Sequence, residues 1–361
     1  MTGKRTPLYS EHDSQAAQFA EHSGLCLPLH YGSATAEHQA VRDSAGMFDV
    51  SQVGIVDLCG DEVQTMLRSV MTNDVGKLDD GQGMYSCMCH EYGGVIDHLV
   101  VFRMTSSHFR LYIDVERRQK DLSWLDAHRG ADVVIEELDG LSHIAVQGPD
   151  AVSLVTQSIA SMGLPLDLQS LPRYGCLQSG RWFISRTGYS GEDGVEILLP
   201  DEQVSELWQT LNEHGVLAAG LVARESLRIE AGFAHYGNEL DEEHTPAESG
   251  VTIAVDVGDE SRQFIGRETI EDHMLFGGRM RLIGLVHDGQ GQLRSGQSVE
   301  LVGKPVGKIT SATHSPVRAS SVALARVEKS FTGACDINTD TSLLAAQISS
   351  VPFVPHGQAR E

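Results

Sequence analysis

An acid and an imidazole stand side by side in an otherwise apolar stretch: MYSCMCHEYGGVIDHLVVF, residues 84–102, carries Asp97 and His98. A carboxylate or an imidazole is costly to bury alone, so at least one of the two is expected to face a polar cavity or a partner. Together they could do general acid and base chemistry. The plainer reading makes Asp97 a turn cap and His98 a hydrogen-bonded core histidine. Tyr85, on the preceding arm, completes this first polar cluster. A second is RTGYSGEDGVEI, where Arg186, Tyr189, Glu192, Asp193 and Glu196 surround three glycines, and a third is GLVARESLRIEAGFAHYGNELDEE, a helix from about Arg224 into a Tyr236-Gly237 loop. None has the GxxxxGK[ST] or GxGxxG spacing that cradles phosphates, and no GxSxG elbow or HExxH helix occurs. Cys87-Met88-Cys89-His90 has no second ligand pair at zinc-site spacing, so it reads as alternating strand residues and no metal is expected.

The elements that position these groups follow from pattern. Two apolar arms around Tyr92-Gly93-Gly94 predict a β-hairpin. Period-two alternation then sets Val95, Asp97, Leu99 and Val101 on one face and Ile96, His98, Val100 and Phe102 on the other. Upstream, EHQAVRDSAG predicts a short helix with Gly46 as its left-handed cap, and MFDVSQVGIVDLCG a strand. Asp61 is expected to cap a helix with Val63, Met66, Leu67 and Val70 along one stripe. HFRLYIDV reads as a strand and ERRQKDLSWLDAH as a helix. A similar order returns as LSHIAVQG, PDAVSLVTQSIA, RWFISRTGYSG, VEILLP and a helix capped by Asp201. These are two α+β units with helices outside their sheets. After Gly250 short β-rich runs predict a small all-β domain, barrel or sandwich.

The 361 residues allow two or three domains, and 41% hydrophobic with 21% charged residues is ordinary for a globular chain. Fifty acidic against 27 basic side chains give a net charge of −23, which disfavours nucleic acid and anionic membranes as partners. Six scattered cysteines, no apolar leader and no long apolar run suggest a cytoplasmic protein.

In this order and spacing, GMFDVSQV, TNDV, MYSCMCHEYGGVIDHLVV, VQGP, RTGYSGEDGVEI, GLVARESLRIEAG, HYGNELDEE, FIGRE and KITSATHSP resemble the aminomethyltransferases (T-proteins) of the glycine cleavage system. The resemblance spans nearly the whole chain. It implies an α+β fold of two ferredoxin-like domains, residues 1–50 with 141–250 and residues 51–140. A C-terminal β-barrel or jelly-roll-like domain, residues 251–361, completes it around a central hole that holds tetrahydrofolate. It also implies transfer of a methylene from the aminomethylated lipoyl arm of H-protein to tetrahydrofolate, with release of ammonia. A stand-alone tetrahydrofolate-dependent demethylase of a small N-, S- or O-methyl compound is the nearest alternative on this scaffold, and a folate-binding protein without transfer a third. By the same resemblance Glu196 takes the pterin edge as a bidentate acceptor. Arg224 neutralises a folate carboxylate or orients its partner, Tyr85 and Tyr189 line the cavity, and Arg360 is the tail arginine that touches the ligand.

The chain departs from the family where the chemistry is. Relatives read Gly-Gly, two apolar residues, Asp-Asp-Leu, and the second Asp approaches the folate nitrogens; here that position is His98 and only Asp97 remains. The family's Val-Asn-Ala on the next strand becomes Ile113-Asp114-Val115. His98 and Asp114 are therefore expected to form a carboxylate–imidazole pair, which would raise the histidine pKa. Asp97 could replace the missing carboxylate only through a slip or bulge. Gln52, for the usual His, and Gly24-Leu25, for the usual Gly-Trp, are expected at the site mouth or the H-protein docking surface.

Overall fold

The computed structural model describes residues 3–339 and 342–355. Two sheets, a small N-terminal sheet and a closed barrel make up the fold. The first large sheet has five strands, Gln82–Cys89, Val95–Thr105, His108–Asp114, Val53–Cys59 and Val134–Glu137, in that spatial order. One face is covered by the helices Val63–Val70 and Arg118–His128, whose Val63, Met66, Leu67, Val70 and Leu125 pack on Leu99, Val101, Phe109 and Leu111. The second has six strands, including Gly46–Asp49, Leu141–Gln147, Trp182–Ser185 and Gly194–Pro200. The helices Ala151–Ser161 and Val204–Glu213 cover one of its faces through Val152, Val155, Leu207 and Trp208. The helices thus lie outside their sheets, as the amphipathic stripes predict.

The uncovered faces meet. Phe102, Tyr112 and Ile55 of the first sheet pack on Phe183, Leu198 and Cys176 of the second. Polar residues on these inner faces are therefore enclosed between two apolar layers, and this is where the second cluster lies.

The barrel closes through Met280–His287, Ser320–Glu328, Lys304–Ser315, Ser298–Leu301, Cys335–Asn338 and Leu343–Ser349. A barrel, not a sandwich, removes its open edges. Arg228 ties it to the rest. From the helix Leu221–Ala231 this fully buried guanidinium donates to Glu225, to Glu239 at 3.0 Å and to Ser311 of the barrel at 2.7 Å.

Several local expectations change. The run from Met47 to Gly60 is two strands in different sheets, Gly46–Asp49 and Val53–Cys59, broken at Val50–Gln52. Alternation is the same on both sides of such a break, so the pattern could not reveal it. Gly46 opens the first strand rather than capping the helix Ala34–Asp43, which ends at Ser44. A Cβ on Gly46 would lie 2.5 Å from Val41 Cγ2, so close helix–strand packing requires the glycine. Asp61 makes no cap: Glu62 holds that position without a side-chain bond. Asp201 begins a 3-10 turn ahead of its helix, and its carboxylate accepts from Ser142. The small sheet Lys4–Arg5, Leu25–His30, Gln18–His22 and the helix Arg267–Phe276 lacked a clear pattern in the sequence.

Candidate active site

The hairpin Gln82–Cys89, Val95–Thr105 forms with its turn at Gly93, where φ is +85°. Gly94 is required for a different reason: a Cβ there would sit 1.9 Å from the carbonyl oxygen of Glu242. A register shift opposite Met88–Cys89 interrupts the ladder. Two successive side chains, Ile96 and Asp97, consequently turn to the helix-covered side, and Val95 joins the cluster of Cys87 and Cys89 instead of following Asp97. The bulge that could have let Asp97 replace the missing carboxylate is present. It leaves Asp97 facing inward, fully buried and near the carboxyl of Asp121 on the helix Arg118–His128. Asp97 Oδ1 also accepts from the backbone N–H of His98 at 2.8 Å. Asp97 is thus a supporting group behind the strand and does not enter the site.

His98 points the other way. Its Nδ1 shares a hydrogen bond of 2.9 Å with Tyr85 Oη, the rings meeting edge to face at 5.7 Å. The expected pair with Asp114 does not form. The ladder between the Val95–Thr105 and His108–Asp114 strands runs only to Val100–Tyr112, so His98 and Asp114 lie beyond it, and Asp114 Oδ1 accepts from the backbone N–H of Glu116 at 2.8 Å. The direction of the histidine shift reverses with it. Burial first, then His235 and Arg228, lower the His98 pKa to about 3. The imidazole is therefore neutral at physiological pH.

Glu196 lies on Gly194–Pro200, opposite Ala145 on one side and Ser185 on the other. It lines a small cavity with Phe48, Ala145, Tyr189, Arg224 and Leu227. Its Oε2 accepts from the Thr187 hydroxyl; among the described residues Oε1 has no hydrogen-bond donor. Behind Thr187, at 2.8 Å, stands Ser185, and behind Ser185, at 3.3 Å, Tyr112. With Thr187 donating to the carboxylate, each hydroxyl can donate to the next. Burial raises the Glu196 pKa, against the Thr187 bond and the charge of Arg224. Arg224 Cζ lies over the Tyr189 ring at 4.7 Å, and Tyr189 stacks on Phe233 while its hydroxyl donates to the Ala234 carbonyl.

The two clusters share one region. Burial pushes the Tyr85 hydroxyl pKa well up, and Cys87, Tyr189 and Tyr174 add to it from nearby. Tyr174 in turn feels Glu196. Sequence reading missed Tyr174, which holds φ +61° between backbone bonds to Gly83 and Arg186; a left-handed non-glycine residue beside a polar cavity is a signal only coordinates give. It also missed His143, His235 and Arg228. Gln52 is 4% exposed, so it belongs to no docking surface; its backbone carbonyl accepts from Val115 next to Asp114, and its amide atoms are buried. Gly24 forms the turn between Gln18–His22 and Leu25–His30 with φ +74°. Arg360 lies outside the described residues.

Paired α+β sheets with a closed C-terminal barrel and an enclosed carboxylate–arginine–tyrosine cavity define a class. Two family models match the chain: the GCVT N-terminal domain over residues 8–259 and the glycine cleavage T-protein C-terminal barrel domain over residues 280–355. An aminomethyltransferase of Legionella pneumophila is 39% identical over 360 residues, 99% of each chain. One of Methylococcus capsulatus is 40% identical over 356 residues, 98% of this chain and 97% of that one. The crystal structure of glycine cleavage system aminomethyltransferase T from Bartonella henselae superposes with a TM-score of 0.91 at 29% identity, covering 98% of both chains. The chain belongs to the glycine cleavage T-protein family.

Proposed function

We propose that this chain, an aminomethyltransferase of that family, moves the methylene of an aminomethylated lipoyl arm on H-protein to tetrahydrofolate and releases ammonia. The observation that carries the reading is Glu196: an enclosed carboxylate with one oxygen open to the cavity, flanked by Arg224 and Tyr189. A pterin presents an N–H and an amino group side by side, which such a carboxylate accepts as a pair. Tetrahydrofolate supplies the nitrogens that take up the methylene. Arg224 offers positive charge to the anionic part of the ligand.

His98 supplies a hydrogen-bond acceptor where relatives have a carboxylate. In the tautomer with its proton on Nδ1, it donates to Tyr85 and turns the Nε2 lone pair outward. A neutral imidazole accepts a hydrogen bond from the N–H of a reacting nitrogen without bringing negative charge. Full-length similarity to aminomethyltransferases supports the H-protein reaction; no observation favours the small-molecule demethylase. The test is to incubate the protein with tetrahydrofolate and aminomethylated H-protein and follow ammonia and 5,10-methylene-tetrahydrofolate. Stoichiometric formation of both is expected. Folate binding without either product, together with demethylation of a small methyl compound, would refute the proposal.

A further inference from the structure

Near Glu196, a buried histidine has no hydrogen-bond partner among the described residues. His143 lies on the strand Leu141–Gln147, two residues before Ala145, which pairs with Glu196 across the ladder. Alternation sets His143, Ala145 and Glu196 on the same face. His143 is 2% exposed, its ring packs on Tyr112 with centroids 4.9 Å apart, and among the described residues neither ring nitrogen has a hydrogen-bond partner. Buried polar groups are nearly always paired because an unpaired one keeps its full desolvation cost. The nearby acceptor is Glu196 Oε1, 3.9 Å from Nε2, about 1 Å beyond an ordinary hydrogen bond. Burial, followed by Arg224 from the helix Leu221–Ala231, lowers the His143 pKa to about 3, against the opposing pull of Asp49 from the strand Gly46–Asp49. The ring is neutral, with one N–H to give.

We propose that His143 is a positioning residue for Glu196: as a pterin edge enters the cavity, Nε2–H closes onto Oε1 and fixes the plane in which the carboxylate meets the ligand. Thr187 already holds Oε2. With both oxygens anchored, the outward lone pairs keep one orientation, and affinity is gained without a contact between His143 and the reacting atoms. The inference rests on Glu196 being the pterin acceptor. It carries a second consequence. A donor at Oε1 favours the ionised carboxylate, so losing it moves the protonation of Glu196, already raised by burial, further toward neutral pH.

Isothermal titration with 5-formyl-tetrahydrofolate, a stable folate, between about pH 5.5 and 8.5 tests this. His143→Leu is expected to weaken binding roughly tenfold at pH 7.5 and to move the acid midpoint of affinity up by about half a pH unit or more. In turnover, KM for tetrahydrofolate should rise roughly tenfold while kcat changes less than about twofold. His143→Gln, whose amide can donate, should recover most of the affinity and the midpoint. His143→Met serves as the donor-free variant should the leucine variant not fold. Wild-type affinity and an unmoved midpoint in a folded donor-free variant would overturn the role of His143 while leaving Glu196 intact, provided Glu196→Gln abolishes binding. Wild-type binding by Glu196→Gln would instead refute the acceptor reading, and the inference with it.

Discussion

His98 decides how far the chemistry of the family carries over to this chain. Its neutral imidazole, bonded to Tyr85, stands where the family resemblance implies a carboxylate. His98→Ala, which deletes this hydrogen-bond acceptor, should lower kcat by roughly tenfold, whereas His98→Asp, which still accepts, should retain turnover; equal loss in both variants would remove His98 from the reaction. The pH profile separates the titrating groups. Because burial lowers the His98 pKa to about 3, kcat/KM should show no step near 6.5. Its acid limb should belong to Glu196, raised by burial, and disappear in Glu196→Gln. Asp97 and Asp121 govern stability instead. Both are fully buried and close to each other, and both pKa values are raised, burial being the largest cause in each, with Asp114, Arg117 and Lys120 nearby. The stability they contribute is full in acid, where they are protonated, and is lost as pH rises through the folded-state values. Asp121→Asn, which removes one of the two buried acids, should therefore stabilise the fold by about 2 kcal/mol at pH 8 and by little at pH 5. Denaturant melts at the two pH values check the difference, and an equal change at both would contradict it.

At the scale of elements, the hairpin and the glycine-rich loop set the geometry. Gly94→Ala would drive a Cβ into the Glu242 backbone and should cost about 2–4 kcal/mol, lifting His98 out of register and lowering turnover more than folate binding. Unchanged thermal stability of this variant would show that the loop yields. Much of this level was legible in the sequence. The Tyr92-Gly93-Gly94 turn, the amphipathic helices and the apolar VEILLP strand carrying Glu196 follow local rules. What was not legible depends on contacts distant in sequence. The bulge that turns Ile96 and Asp97 to the same side lies in a ladder whose local pattern alternates normally. The Met47–Gly60 run changes sheets without changing period. Of the candidate residues, Glu196, Arg224 and Tyr189 line one cavity and His98 pairs with Tyr85. His143 reads locally as one polar residue in an apolar strand, and only the packed sheets bring it to Glu196.

For the whole molecule, burial of Arg228 holds three parts in one arrangement. Its guanidinium links the helix Leu221–Ala231, Glu239 in the following loop and Ser311 of the barrel. Arg228→Met should leave Glu239 as an uncompensated buried charge and cost about 3–5 kcal/mol. Unfolding is then expected to split, the barrel melting apart from the paired sheets; a single unshifted transition would show that the apolar contacts alone join them. Charge acts at the same scale. With a net charge of −23, the proposed attraction of an anionic folate falls to local arginines such as Arg224. The account as a whole is tested most directly by a crystal structure of the chain with tetrahydrofolate bound. It should show the pterin edge within hydrogen-bond distance of Glu196 and the reacting nitrogens beside His98 Nε2. A ligand seated elsewhere, or a pterin whose amino group turns away from Glu196, would contradict it.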